Sequence, residues 1–149
     1  MEHAEFISYA ENVLDYGIMG ILLLMSVVTL WLFIERLMFY KSIRISDYDN
    51  KDALELDLSD NLSTISAIGA NAPYVGLLGT VIGIMLTFYS LGDMGAVDAK
   101  RIMMGLALAL KATALGLVVA IPAIAFYTML LRKMEKIVVR FDIAQEAKK

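Results

Sequence analysis

The chain has 149 residues, 59% of them hydrophobic and 19% charged, with a formal net charge of −3. That balance is more apolar than a soluble domain carries and points to the bilayer. Absence of cysteine excludes a disulfide framework and a thiolate metal site, and the one histidine, His3, has no clustered partners with which to hold a metal.

Residues 1–16 hold Glu2, Glu5, Glu11 and Asp15 with no lysine or arginine. The first apolar run, Gly17 to Ile34, is uncharged and ends at Glu35-Arg36. With Leu37 to Tyr40 as an interfacial skirt it reaches the length of about 20 residues that a spanning helix needs. It has no basic leader and is too long for a signal-peptide core, so it is expected to remain as a membrane span. A second uncharged run extends from Asn61 to Gly92, and a third from Ile102 to Leu131 is interrupted only by Lys111. The expected spans are about 17–39, 68–91 and 102–131, within a single all-α membrane domain, 1–149. Lys41, Arg44 and Lys51 follow the first run, and Arg132, Lys133, Lys136, Arg140, Lys148 and Lys149 crowd the C-terminus. The positive-inside rule then puts the N-terminus outside and the 41–60 connection and 132–149 extension in the cytoplasm, against a minor dissent from Lys100 and Arg101.

The connection carries Asp47, Asp49, Asp52, Glu55, Asp57 and Asp60 among Ala53, Leu54, Leu56 and Leu58. It lacks the glycine and terminal glutamate of a calcium loop and reads as a solvated linker of one helical turn at most. Ser59 to Gly92 as one helix would be about 50 Å long against a hydrocarbon core of about 30 Å, so its start should project from the membrane. Pro73 is expected to kink it, with Asn71 placed to satisfy a freed backbone group. The third helix should likewise continue past Arg132. Glu35 and Arg36 are expected to pair with neighbouring groups or headgroups.

Helices two and three carry stripes of small residues at one-turn spacing. Gly76, Gly79, Thr80, Gly83 and Thr87 form one; Ala109, Ala112, Thr113, Gly116, Ala120 and Ala123 form the other. Small residues in a membrane helix permit close backbone approach, here within the subunit, between subunits or around a central partner. Thr80 and Thr113 either bond carbonyls one turn back or present hydroxyls to a wet lumen. Lys111 lies about 15 Å beyond Arg101, at the limit of snorkelling, and otherwise needs an interface or a partner charge. No nucleotide cradle, catalytic triad or zinc motif occurs, so no enzyme, catalytic residue, cofactor or metal is expected.

The segments Ala72-Pro-Tyr-Val-Gly-Leu-Leu-Gly-Thr-Val-Ile-Gly-Ile-Met85 and Lys111-Ala-Thr-Ala-Leu-Gly-Leu-Val-Val-Ala-Ile-Pro-Ala123, followed by Tyr127, strongly resemble the ExbB/TolQ/MotA family of proton-channel subunits, nearest to its ExbB branch. The resemblance covers all three spans and implies a homopentamer whose pore, lined by helices two and three, surrounds two ExbD helices, with TonB as the moving output. It implies a bacterial inner-membrane motor subunit that harnesses the proton gradient for transport across the outer membrane. A TolQ-like envelope role and a self-contained channel are the competing readings. Thr80 and Thr113 match the family's pore-lining threonines. Where the family motif has a glutamate five positions before the aligned threonine, this chain has Leu108, and Lys111 lies three residues on. The connection between spans one and two is also shorter than in familiar family members, and a carboxylate supplied by ExbD is expected to load the proton.

Overall fold

A computed structural model describes residues 2–92 and 99–147. The backbone runs as α1 (Glu2–Ser42), a 3-10 turn (Ile45–Asp47), α2 (Lys51–Ser59), α3 (Leu62–Gly92) and α4 (Ala99–Glu146). Among the described residues three helices are long and apolar enough to cross a membrane, within Asp15–Ser42, Lys51–Tyr89 and Ile102–Glu146. Large apolar side chains such as Leu23, Trp31, Leu78, Phe88, Val118 and Ile121 stand exposed on them. Lipid solvates such a surface, and the helices satisfy their backbone groups internally, which is the requirement for crossing a bilayer. Among the described residues all regular structure is helical, in a multi-pass membrane protein.

α3 and α4 pack most extensively, and α1 lies against both. The core is stacked along the bundle. One cluster joins Ile18 and Leu22 of α1 to Ala72 and the alanines of α4. The next joins Leu32, Leu62, Ile65 and Leu130, with Phe33 stacked on Phe126 at 4.1 Å between ring centroids. α4 has 48 residues and is about 72 Å long, so it outruns a hydrocarbon core of about 30 Å.

α3 runs unbroken through Pro73 from Leu62 to Gly92. Asn71 does not serve the carbonyl that proline leaves unpaired: its Nδ2 donates to Ala67 O at 2.7 Å, one turn back along its own helix.

The 41–60 connection differs from the solvated linker expected. Asn50 caps α2 by accepting from Ala53 N at 2.7 Å, and Asp52 adds a negative charge to the first turn. Leu54 and Leu58, one turn apart, are fully buried against Val138 and Phe141 of α4. The acids occupy the opposite, wet face, so the segment is an amphipathic helix seated on the α4 extension. Lys51 Nζ adds an exposed contact to Asp142 at 2.7 Å. The Tyr48 hydroxyl donates to Asp57 at 2.8 Å, and that bond raises the phenol above its ordinary pKa because ionisation would set two anions together. Truncating Leu54 to alanine should cost about 2–5 kcal/mol of docking and speed tryptic cleavage at Lys51; unchanged cleavage would show that the seat is not held by this leucine.

Arg36 fastens this elbow to α1. Its buried guanidinium donates to both Glu35 oxygens at 2.7 and 2.6 Å and to Asp57 O at 3.0 Å, and lies 4.6 Å from the Phe39 ring centroid. Glu35 and Arg36 therefore pair with each other. Tyr40 donates to Leu58 O at 2.6 Å, adding a second tie from α1. α2 joins α3 at Asn61, whose φ of 61° lies in the left-handed region that asparagine tolerates.

Candidate functional site

The small-residue stripes meet each other inside one subunit. A Cβ on Gly76 would lie 2.6 Å from the Ala112 carbonyl oxygen and 3.1 Å from the Gly116 Cα. A Cβ on Gly116 would lie 2.7 Å from the Ala72 carbonyl oxygen. Next along the seam, one on Gly79 would meet Ala112 Cβ at 2.7 Å and Ile18 Cδ1 at 2.9 Å, and one on Gly83 would meet Ala109 Cβ at 2.9 Å. Ala109, Ala112, Ala120 and Ala123 are buried along the same seam. Gly69, against Ile124, and Gly105, against Thr87, extend it at either end. Those two were missed in the sequence, although each sits on the helical spacing of the stripe it prolongs.

Backbones this close bring Thr80 and Thr113 together. Thr80 Oγ1 lies 2.5 Å from Thr113 Oγ1, 2.9 Å from Ala109 O and 3.3 Å from Gly76 O. Thr113 Oγ1 lies 3.5 Å from Gly76 O. The shorter contacts of Thr80 thus cross to α4 rather than return one turn along α3. Each hydroxyl has one proton, so the pair can be ordered in two directions: Thr113 to Thr80 to Ala109 O, or Thr80 to Thr113 to Gly76 O. Thr80 is buried and Thr113 half-buried. The pair can reverse its hydrogen bonds but cannot hold net charge at neutral pH, so ion handling here needs a titratable group from elsewhere.

Lys111 is not part of this pair. It is exposed on α4, as are Leu108 and Leu110 beside it. His3 lies outside the residues whose side chains are described, and among the described residues no cluster of His, Cys, Asp or Glu could hold a metal.

Outward from Gly79 a cleft of about 140 Å³ separates α1 from the α3–α4 seam. Asn12 and Asp15 of α1, Thr87 of α3 and Leu108 of α4 line it. Asp15 and Asn12 escaped notice in the sequence, where they read as the end of an acidic terminal segment. Their three-residue spacing, on one helix face at the edge of an apolar run, was the available signal.

The MotA/TolQ/ExbB proton channel family matches residues 32–143. The chain belongs to the MotA/TolQ/ExbB proton channel family. Both threonines and the whole glycine–alanine seam fall within the matched region. Among its relatives in the family, the biopolymer transport protein ExbB of Aquifex aeolicus is 52% identical over 126 residues, 85% of each chain. The biopolymer transport protein ExbB of Helicobacter pylori is 50% identical over 133 residues, 89% of this chain and 92% of that one. The Tol-Pal system protein TolQ of Pseudomonas aeruginosa is 38% identical over 87 residues, 58% of this chain and 38% of TolQ. These two ExbB proteins therefore match this chain over most of their own length.

Proposed function

We propose that this chain is the ExbB subunit of an inner-membrane motor that uses the proton gradient to energise TonB-dependent transport across the outer membrane. The observation that carries the reading is the match, at 50–52% identity and over 85–92% of their length, to the ExbB proteins of Aquifex aeolicus and Helicobacter pylori. In this reading the chain sits N-out and C-in, as its cations suggest, and five copies enclose two ExbD helices. α3 and α4 form the pore wall, held rigid by Gly76, Gly79, Gly83, Gly116 and Ala120. The Thr80–Thr113 pair lies in that wall, and an ExbD carboxylate loads and releases the proton. The rearrangement that follows is passed to TonB.

Lys111 supports an assembly rather than a solitary subunit. A charge exposed to lipid near mid-span is expensive on insertion scales, by about 2.5–3.5 kcal/mol, and a neighbouring subunit or ExbD would cover it with an acid or carbonyls. Lys111→Met deletes the charge and keeps an apolar stem of similar length, so it should weaken the oligomer or its coupling. Unchanged oligomer mass, ExbD binding and uptake in that variant would leave snorkelling to a headgroup as the account of this lysine.

Purification from native membranes with an affinity tag tests the whole reading. The expected result is a pentamer that retains ExbD and TonB. Retention of Tol-Pal components instead would assign the chain to envelope maintenance, and a complex with no partner would favour a self-contained channel.

A further inference from the structure

The cleft between α1, α3 and α4 contains a carboxylate that the reading above leaves unused. From Gly79 at its floor to Thr87 at its rim, α3 rises about 12 Å. Ile18 touches the floor, and Asp15 stands one helical turn outward of it, about 5 Å above the floor and well below the rim. Asp15 is half-buried and begins the apolar span of α1. Among the described residues the other polar side chains lining the cleft, Asn12 and Thr87, are neutral. No charged residue occurs on α3 from Leu62 to Gly92; on α4 the exposed Lys100 stands at the helix start, outward of the lining residue Gly105, and Lys111, one turn inward of Leu108, is exposed rather than part of the described lining. The volume of about 140 Å³ accommodates several waters, and Asp15, Asn12 and Thr87 supply the polar partners they need.

The inner end of the cleft meets the hydroxyl pair. Ala109 lines the cleft and its carbonyl accepts from Thr80 at 2.9 Å, while Gly79 at the floor is the residue before Thr80. We propose that this cleft is a hydrated vestibule within the subunit that brings protons from the N-terminal face toward Thr80 and Thr113, with Asp15 as its proton-loading carboxylate. Asp15 takes a proton from water on the rim side and returns it to water on the floor side. One carboxylate with neutral oxygens suits a proton better than a metal cation, which demands several oxygen ligands. The use of the vestibule rests on the ion-driven reading; its hydration and its charge do not.

The chain has no cysteine, so single thiols can report on the cleft without background. In liposomes holding the purified complex, Leu108→Cys should react from the same side as Tyr9→Cys, a position 70% exposed on α1. A cationic methanethiosulfonate should modify it about tenfold faster than an anionic one, because the carboxylate concentrates cations in the cleft. Adding Asp15→Asn should bring that ratio near one. Asp15→Asn alone should cut proton flux through the complex by about tenfold or more, with Asp15→Glu restoring it. An inert Leu108→Cys beside a reactive Tyr9→Cys would overturn the vestibule, and an unchanged reagent ratio or full flux in Asp15→Asn would overturn the role of Asp15. These outcomes are separate from failure of the ExbB reading, which shows as absence of ExbD and TonB from the purified complex while the labelling pattern persists.

Discussion

Gly76→Leu should separate α3 from α4. The new side chain would have to start 2.6 Å from the Ala112 carbonyl oxygen and 3.1 Å from two α carbons, those of Thr113 and Gly116. Backbone on both sides leaves no flexible neighbour to yield. Overpacking an ordinary core costs about 1–3 kcal/mol, and here the cost should exceed that range, with loss of the hairpin and of the oligomer built on it. Gly20 provides the contrast, because a Cβ there would meet nothing within 4 Å. Gly20→Ala should be neutral or stabilise the helix by about 0.5–1 kcal/mol. Thermal unfolding in detergent, followed by circular dichroism, should drop sharply for Gly76→Leu and not for Gly20→Ala. Equal melting of the two variants would mean that the seam does not hold the bundle together.

Thr80→Val should do the reverse, leaving the bundle assembled while removing its function. Valine keeps the branched shape and loses the hydroxyl that lies 2.5 Å from Thr113 Oγ1 and 2.9 Å from Ala109 O. Interhelical hydrogen bonds within membranes average about 0.6 kcal/mol and reach about 1.7, so the stability loss should stay within that scale. The hydrogen-bond chain, however, is cut at its centre. Energised uptake should fall to background in Thr80→Val and strongly in Thr113→Val, with oligomer mass unchanged in both. Full uptake by both variants would reduce the pair to a structural bond between helices.

What the sequence disclosed depended on how local the cause was. Long uncharged runs and one-turn spacing of small residues made three membrane helices and their packing faces readable, since both depend on composition and the 3.6-residue period. The stripes did not say whether they would face another subunit or each other. Only the antiparallel register of α3 and α4, in which Gly76 falls opposite Ala112 and Gly116, places them within the hairpin. α2 was hidden because its three leucines alternate with acids, a period of two that does not read as a helix face. Leu54 and Leu58 become a helix face only when Val138 and Phe141, some eighty residues on, supply the surface they cover. Arg36 was legible as a charge at a span end, but its bond to Asp57 O depends on that same fold of the connection. Pro73 does not end α3, which Ala72 and Gly76 seat against α4 on either side of it. Asp15 was the least legible residue, for its meaning lies in the cleft it shares with Thr87 and Leu108.

The central claim is that this chain is one part of an ion-driven assembly and not a channel by itself. Proton flux into liposomes under an imposed pH gradient tests it, with the chain reconstituted alone and then together with ExbD. The account predicts near-background flux from the chain alone, flux on addition of ExbD, and loss of that flux in Thr80→Val. Proton flux of equal size from the chain alone would contradict it.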